Sequence, residues 1–219
     1  NDLFQSDRES GITDEGKKYF QNYFPQQNFT DEDIFYYVYA LLHSKQYRNQ
    51  YKNNLNKELA RIPICKDWEI FKTYCEIGRK LGDMHINFLD AEKYPINFKE
   101  GDLRLLPIED KREFFKVNGL KFPNKNDKTI IKYNNNLTIE GIPNEAYNYQ
   151  INGKSAIEWI IDRYSIKKDS SSGITNDVND FVSENNKNPE YILEMIQKTI
   201  SISLNTLKLV DSLPEFDFH

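Results

Sequence analysis

Thr129-Ile130-Ile131-Lys132-Tyr133-Asn134-Asn135-Asn136-Leu137-Thr138-Ile139 is the stretch whose reading decides the fold class. β-Branched and aromatic residues on either side of three asparagines predict two short strands joined by a turn. Branched side chains pack well on a pleated surface, and Asn tolerates left-handed backbone. Just upstream, Phe114-Phe115-Lys116-Val117 and Leu120-Lys121-Phe122 flank Asn118-Gly119, a dipeptide that favours the type I′ turn, so a second hairpin is expected there.

Both flanks of this region have helical period instead. On the N-terminal side, Thr13-Asp14-Glu15 opens a helix to about Phe24, where Pro25 stops it. Thr30 is a helix cap followed by three acids, and Ile34, Tyr37, Val38, Leu41 and Leu42 then share one face. Tyr47, Tyr51, Leu55 and Leu59 predict a helix ending before Pro63, and Phe71, Tyr74, Ile77, Leu81, Met84 and Phe88 predict another over 67–88. On the C-terminal side, a helical turn is expected over 145–149. Ile151-Asn152-Gly153 leads into a helix bearing Ala156, Ile157, Trp159, Ile160 and Ile161, and residues 170–188 read as a long polar loop. Pro189 starts a last helix with Ile192, Leu193, Ile196, Ile200 and Leu204 spaced for burial. The expected fold is α+β, with an N-terminal helical part, central β-hairpins and C-terminal helices. The expected division is a helical segment 1–95 and an α+β part 96–219.

With 14% aromatic residues, the 219-residue chain has the means to build a core that disordered chains lack. No run approaches the roughly 18 apolar residues of a membrane span. The first eight residues have neither the basic start nor the apolar run of a signal peptide, and the missing initiator Met suggests a piece of a longer polypeptide. Cys65 and Cys75 form neither a disulfide framework nor a zinc pattern, so two buried thiols and a cytoplasmic location are expected.

Charge is unevenly spread. Residues 43–80 hold nine Lys/Arg against four acids, and residues 111–132 hold seven against two, each a local +5 in a chain whose net charge is −5. A phosphate feels charge mainly within a Debye length of about 8 Å, so two basic runs in an acidic body fit one face turned to a polyanion. Solubilising lysines on an ordinary surface are the plain alternative.

Catalytic signatures are missing from the sequence: no Walker-type phosphate loop, no G-x-G-x-x-G after a strand, no G-x-S-x-G and no H-E-x-x-H. His43 falls at a helix C-terminus, where an imidazolium is favoured, and His85 lies on a buried-looking stripe. Asp102, Glu109 and Lys111 loosely match the D…E-x-K set that holds Mg²⁺ in nucleases, but they straddle Pro107 and no strand precedes Glu109. No catalytic or metal-binding residue is assigned.

DNA reading requires Lys/Arg for phosphates and amide or cationic side chains for base edges. The candidates are Arg48, Arg61, Lys116, Lys121, Lys125, Lys128 and Lys132, the hairpin asparagines Asn134 and Asn135, and Lys154, Arg163, Lys167 and Lys168 around the Trp159 helix, with Ser155 beside them.

Ile34-Phe35-Tyr36-Tyr37-Val38-Tyr39-Ala40-Leu41-Leu42-His43-Ser44-Lys45-Gln46-Tyr47-Arg48 with Leu59-Ala60-Arg61-Ile62-Pro63 resembles a segment following the catalytic core of large bacterial adenine methyltransferases. Gly141-Ile142-Pro143 through Ala146-Tyr147, Asn152-Gly153-Lys154-Ser155-Ala156-Ile157-Glu158-Trp159, Asp162-Arg163-Tyr164 and Ser172-Gly173-Ile174-Thr175-Asn176-Asp177 are together similar to the C-terminal specificity domain of Type ISP restriction–modification enzymes. The likeness runs from about Gly11 to Leu213. It implies a target recognition domain for double-stranded DNA, not itself an enzyme and with no cofactor of its own. Its partners would be an upstream N6-adenine methyltransferase and translocase of the same polypeptide, which also carries a nuclease and uses S-adenosylmethionine, ATP and Mg²⁺. The alternative is a docking module between methyltransferase and translocase without direct base readout.

Overall fold

Side-chain caps fix the helix starts in the computed structural model, which describes residues 10–55, 57–183 and 188–218. The fold is α+β and divides into two units, 1–86 with 208–219, and 87–207. The expected division at 95/96 did not include the return of the last dozen residues to the helical unit.

In the first unit the Thr13 side chain accepts from Gly16 N at the start of α1 (Asp14–Tyr23). Thr30 and Asp33 form a reciprocal capping box at α2 (Asp31–His43), and Ser44 caps α3 (Lys45–Gln50). The longer α4 (Trp68–Ile86) packs on α2. Their close approach depends on Gly78, because a Cβ there would lie 2.0 Å from the Tyr36 carbonyl oxygen. The core is aromatic: Tyr37 stacks on Phe71 with ring centroids 5.1 Å apart, beside Phe20, Phe24 and Tyr74. Buried tyrosines need partners for their hydroxyls. Main-chain carbonyls supply them: Tyr37 donates to Pro63 O at 2.7 Å, Tyr47 to Arg61 O at 2.6 Å and Tyr74 to Pro214 O at 2.9 Å. Gln46 ties the returning tail down by donating to Phe216 O at 2.8 Å.

The helix expected from Tyr47 to Leu59 ends at Gln50, and Leu59 is 95% exposed. Tyr51 and Leu55 still pack on the core, but from turns. Asn53 and Asn54 are weak helix formers whose side chains compete for backbone hydrogen bonds. Asn56, within the expected helix, lies outside the described residues.

In the second unit β1 (Asn97–Phe98), α5 (Lys111–Phe115), β2 (Ile131–Lys132) and β3 (Thr138–Glu140) come first, and the strands form an antiparallel sheet in the order β1-β3-β2. The hairpin expected over 129–139 is present, with Ile131 opposite Ile139 and Lys132 opposite Thr138. The hairpin expected over 114–122 is not. Asp110 caps α5 by accepting from Arg112 N and Glu113 N, which draws Phe114 and Phe115 into a helix. The Asn118-Gly119 turn survives with Gly119 at φ +99°, but Lys121 beyond it pairs with Lys132 on β2.

Next come β4 (Gln150–Ile151) and β5 (Lys154–Ser155), turned through Asn152 at φ +50° and Gly153 at φ +81°. Left-handed backbone at both central positions is the type I′ requirement. α6 (Ala156–Tyr164) follows directly, with a Ser155/Glu158 capping box. Where a long loop was expected, β6 (Lys167–Lys168) and β7 (Thr175–Asn176) form a small hairpin and α7 (Val178–Phe181) a single turn; residues 184–187 of that stretch lie outside the described residues. The last helix, α8 (Tyr191–Asp211), buries Ile192, Ile196 and Ile200 with Ile131, Tyr133, Ile139 and Ile157 in the core of this unit.

Candidate nucleic-acid interface

Lys121 and Lys132 are held face to face. Lys121 N donates to Lys132 O at 3.0 Å and Lys132 N to Lys121 O at 2.9 Å, the exchange of a hydrogen-bonded antiparallel pair. Side chains at such positions leave the sheet on the same face, where like charges repel. Among the described residues neither lysine is ion-paired to a carboxylate. Lys125 is exposed on the connection between them. The acid on that connection, Asp127, is turned to Thr129, whose hydroxyl donates to it at 2.6 Å and lowers its pKa. The strand pairing therefore builds a small cationic surface, with the acid on its connection turned to Thr129.

Other candidates are engaged within the fold. Lys116 pairs with Glu113 at 3.5 Å and Lys128 with Glu158 at 2.8 Å. Burial works against ionisation of Glu158, yet hydrogen bonds from Lys128 and Ser155 hold it at about 2. Lys154 pairs with Asp162 and stands 5.2 Å from the Trp159 ring centroid. Ser155 is buried and its hydroxyl serves the α6 cap.

Asn134 corrects the sequence reading. It is 2% exposed, and its amide donates to Phe114 O at 2.8 Å and Lys116 O at 3.0 Å, while its carbonyl accepts from Asn136 N. It fastens the β2–β3 turn to the end of α5 and has no reach outward. Its neighbour Asn135 is exposed. Arg163, Lys167 and Lys168 are exposed as well, and among the described residues none is ion-paired.

In the helical unit Arg48 is exposed and Arg61 lies 3.8 Å from Glu58. Others of the 43–80 run have acids at hand: Lys45 meets Asp211, Lys72 meets Glu69 at 2.8 Å and Arg79 meets Asp33 at 2.8 Å. At His43 burial opposes the imidazolium favoured by its place on α2. Burial lowers its pKa, and its Nδ1 faces Tyr39 O at 2.8 Å. His85, whose Nδ1 meets the Tyr39 hydroxyl at 2.7 Å, is pushed down to about 4 by burial and by His43. Cys65 and Cys75 are buried, and burial raises their thiols to about 11 and 12.

The loose Mg²⁺ pattern does not assemble. Asp102 is clamped by Arg104 at 2.6 Å, whose hydrogen bonds lower its pKa to about 2, and Lys111 turns to Glu190 at 3.2 Å. Among the described residues no group of three His, Cys, Asp or Glu side chains is placed to hold a metal ion. The surface can hold an anion by charge and hydrogen bonding.

The sequence reading missed the β6–β7 hairpin. Its signal was present as Lys167-Lys168 and Thr175-Asn176 separated by the turn-forming run Asp169-Ser170-Ser171-Ser172-Gly173 and Ile174.

The family model described as the Type ISP C-terminal specificity domain matches residues 1–195. A solved nuclease-deletion mutant of the Type ISP restriction-modification enzyme LlaGI, in complex with a DNA substrate mimic, is 41% identical over 89% of this chain and 17% of that one, with a TM-score of 0.72. The ATP-dependent Type ISP restriction-modification enzyme LlaBIII bound to DNA is 36% identical over 91% of this chain and 12% of that one, at a TM-score of 0.75. A DrdV–DNA complex is 28% identical over 92% of this chain and 20% of that one, at a TM-score of 0.72. The chain thus spans a fifth or less of the length of these proteins. No curated protein matches it significantly.

Proposed function

The chain belongs to the Type ISP C-terminal specificity domain family, and from that premise we propose that its α+β unit selects the DNA target of a large restriction–modification polypeptide. The nuclease, the ATP-driven translocase and the N6-adenine methyltransferase, with their Mg²⁺, ATP and S-adenosylmethionine, are assigned to segments outside these 219 residues. A cytoplasmic location goes with that role. Among the described residues no helix is long and apolar enough to cross a membrane.

The observation that carries the reading is the opposed Lys121/Lys132 pair. A fold that fixes two cations opposite one another, without a carboxylate between them, is relieved when an anion binds there. Phosphates of a duplex, spaced about 1.7 Å along the axis when both strands are counted, are such anions. Lys125, Arg163, Lys167 and Lys168 add exposed positive charge in the same unit. Lys128 and Lys154 are ion-paired to Glu158 and Asp162 on α6 and serve first to hold that helix in place.

Salt titration tests this. Each phosphate contact contributes about −0.9 to the slope of log affinity against log salt on duplex DNA. Lys121→Ala with Lys132→Ala is expected to make the slope shallower by about 2 and to weaken all sequences alike. A slope near zero for the unaltered chain overturns the reading.

A docking role is supported for the helical unit by Phe35, which is 53% exposed on α2 and stacked on Tyr39 at 6.1 Å, with Leu42 exposed two turns beyond Phe35. Exchanging residues 1–86 between two related enzymes should then alter assembly and leave the selected sequence unchanged.

A further inference from the structure

We infer that the β6–β7 hairpin is a major-groove reader, in which Ile174 contacts a thymine methyl group and Asn176 an adenine edge. The inference rests on the reading of the chain as a DNA specificity domain and names the element that does the reading.

The hairpin ladder pairs Lys167 with Asn176 and Lys168 with Thr175, and Asp169 N then donates to Ile174 O at 2.9 Å. Opposed residues share a face and successive residues alternate. Lys167, Ile174 and Asn176 therefore lie on one face, and Lys168 and Thr175 on the other. Ile174 is 68% exposed and belongs to no apolar cluster among the described residues. Asn176 is exposed, and its side-chain amide makes no hydrogen bond among the described residues.

The tip is ordered before any ligand arrives. Asp169 Oδ1 accepts from Ser171 N at 3.0 Å, Ser172 N at 2.7 Å and both serine hydroxyls, at 2.6 and 2.9 Å. Those bonds hold its pKa far below the usual carboxylate range. Gly173 closes the turn at φ +71° and donates to Asp169 O at 2.9 Å. The carboxylate on the reading face is thus engaged by the turn, while Lys167 and Lys168, one on each face, have no carboxylate partner among the described residues.

A major groove about 12 Å wide admits a two-stranded ribbon, and its walls are phosphates that lysines on both faces can meet. An exposed isoleucine is costly in water but suits the thymine C5 methyl, and an Asn amide matches adenine N6 and N7. Residues i and i+2 on one strand are about 6.6 Å apart, about two base-pair steps of 3.4 Å, so the two side chains reach base pairs about two steps apart.

The 219-residue chain is used to select duplexes from a randomised pool, and each thymine of the selected sequence is then replaced by deoxyuridine. The unaltered chain should lose about three- to tenfold in affinity at one position, and Ile174→Ala should bind thymine and uracil alike there with an unchanged salt slope. Asn176→Ala should relax an adenine preference by about tenfold, and Lys167→Ala should weaken every sequence equally. If Ile174→Ala and Asn176→Ala select the same sequences with the same thymine-to-uracil ratio as the unaltered chain, the inference fails and the DNA reading stands. If the unaltered chain shows no salt-dependent duplex binding, the reading fails and the inference with it.

Discussion

The β2–β3 and β6–β7 hairpins are both polar turns between short strands, and they are built in opposite senses. At the first, Asn134 faces inward and its amide fixes two carbonyls at the end of α5. At the second, Asp169 gathers the turn onto itself, leaving Ile174 and Asn176 outside. The pair teaches that a polar turn acquires its role from what its side chains satisfy. An amide whose hydrogen bonds are used by buried main chain is structure, and one left over is available to a ligand.

Asn134→Ala should have the largest effect on stability, about 2–3 kcal/mol by urea denaturation, because two main-chain carbonyls lose their partner at a buried position. A loss no greater than that of Asn176→Ala would erase the contrast between the hairpins.

Acid should act next, and on the helical unit. His43 and His85 have folded-state pKa values lowered by burial, His85 to about 4, so the unfolded chain binds more protons below its own value of about 6.5. Stability is then full above pH ~6.5 and falls as pH drops toward about 4, by roughly 1–2 kcal/mol once partial solvent access of the imidazoles is allowed for. His85→Phe should flatten that part of a pH–stability curve. A curve equally steep in the variant would place the acid sensitivity elsewhere.

Lys128→Ala should cost about 1 kcal/mol, through the half-buried ion pair with Glu158, and should leave the salt slope of DNA binding within about 0.5 of the unaltered chain. A drop in slope near 0.9 would move Lys128 from the scaffold to the interface. Smallest in global terms is Asp169→Ala. It should leave the unfolding midpoint unchanged and speed hydrogen exchange at the Ser171 and Ser172 amides, while Asp169→Asn should keep much of their protection. Asn176→Ala should stay within about 0.5 kcal/mol of the unaltered chain, as a surface change does.

The first helix starts were legible because caps are local: Thr13 and Thr30 each satisfy backbone donors within three residues of themselves, whereas Ser155, read as a DNA-contact candidate, proves to be the cap of α6. The β2–β3 hairpin was legible for the same reason. The hairpin expected at Asn118-Gly119 failed because a local turn signal competed with a local cap at Asp110, and the cap drew Phe114 and Phe115 into a helix. The site was only partly legible. Sequence named the lysines, but not which of them are ion-paired, since Lys128 and Glu158 stand 30 residues apart and Lys111 and Glu190 stand 79 apart.

By itself the sequence determined the α+β class, the helix starts at Thr13 and Thr30 and the membership of a specificity-domain family, all matters of short-range pattern or of likeness along the chain. Tertiary structure alone decided that Lys121 faces Lys132, that Asn134 is inside while Ile174 and Asn176 are outside, and that two of the histidines are driven toward their neutral form. Those outcomes turn on burial and on partners distant in the chain, and the energy of a charge or an amide is set by what surrounds it in space rather than by what precedes it in sequence.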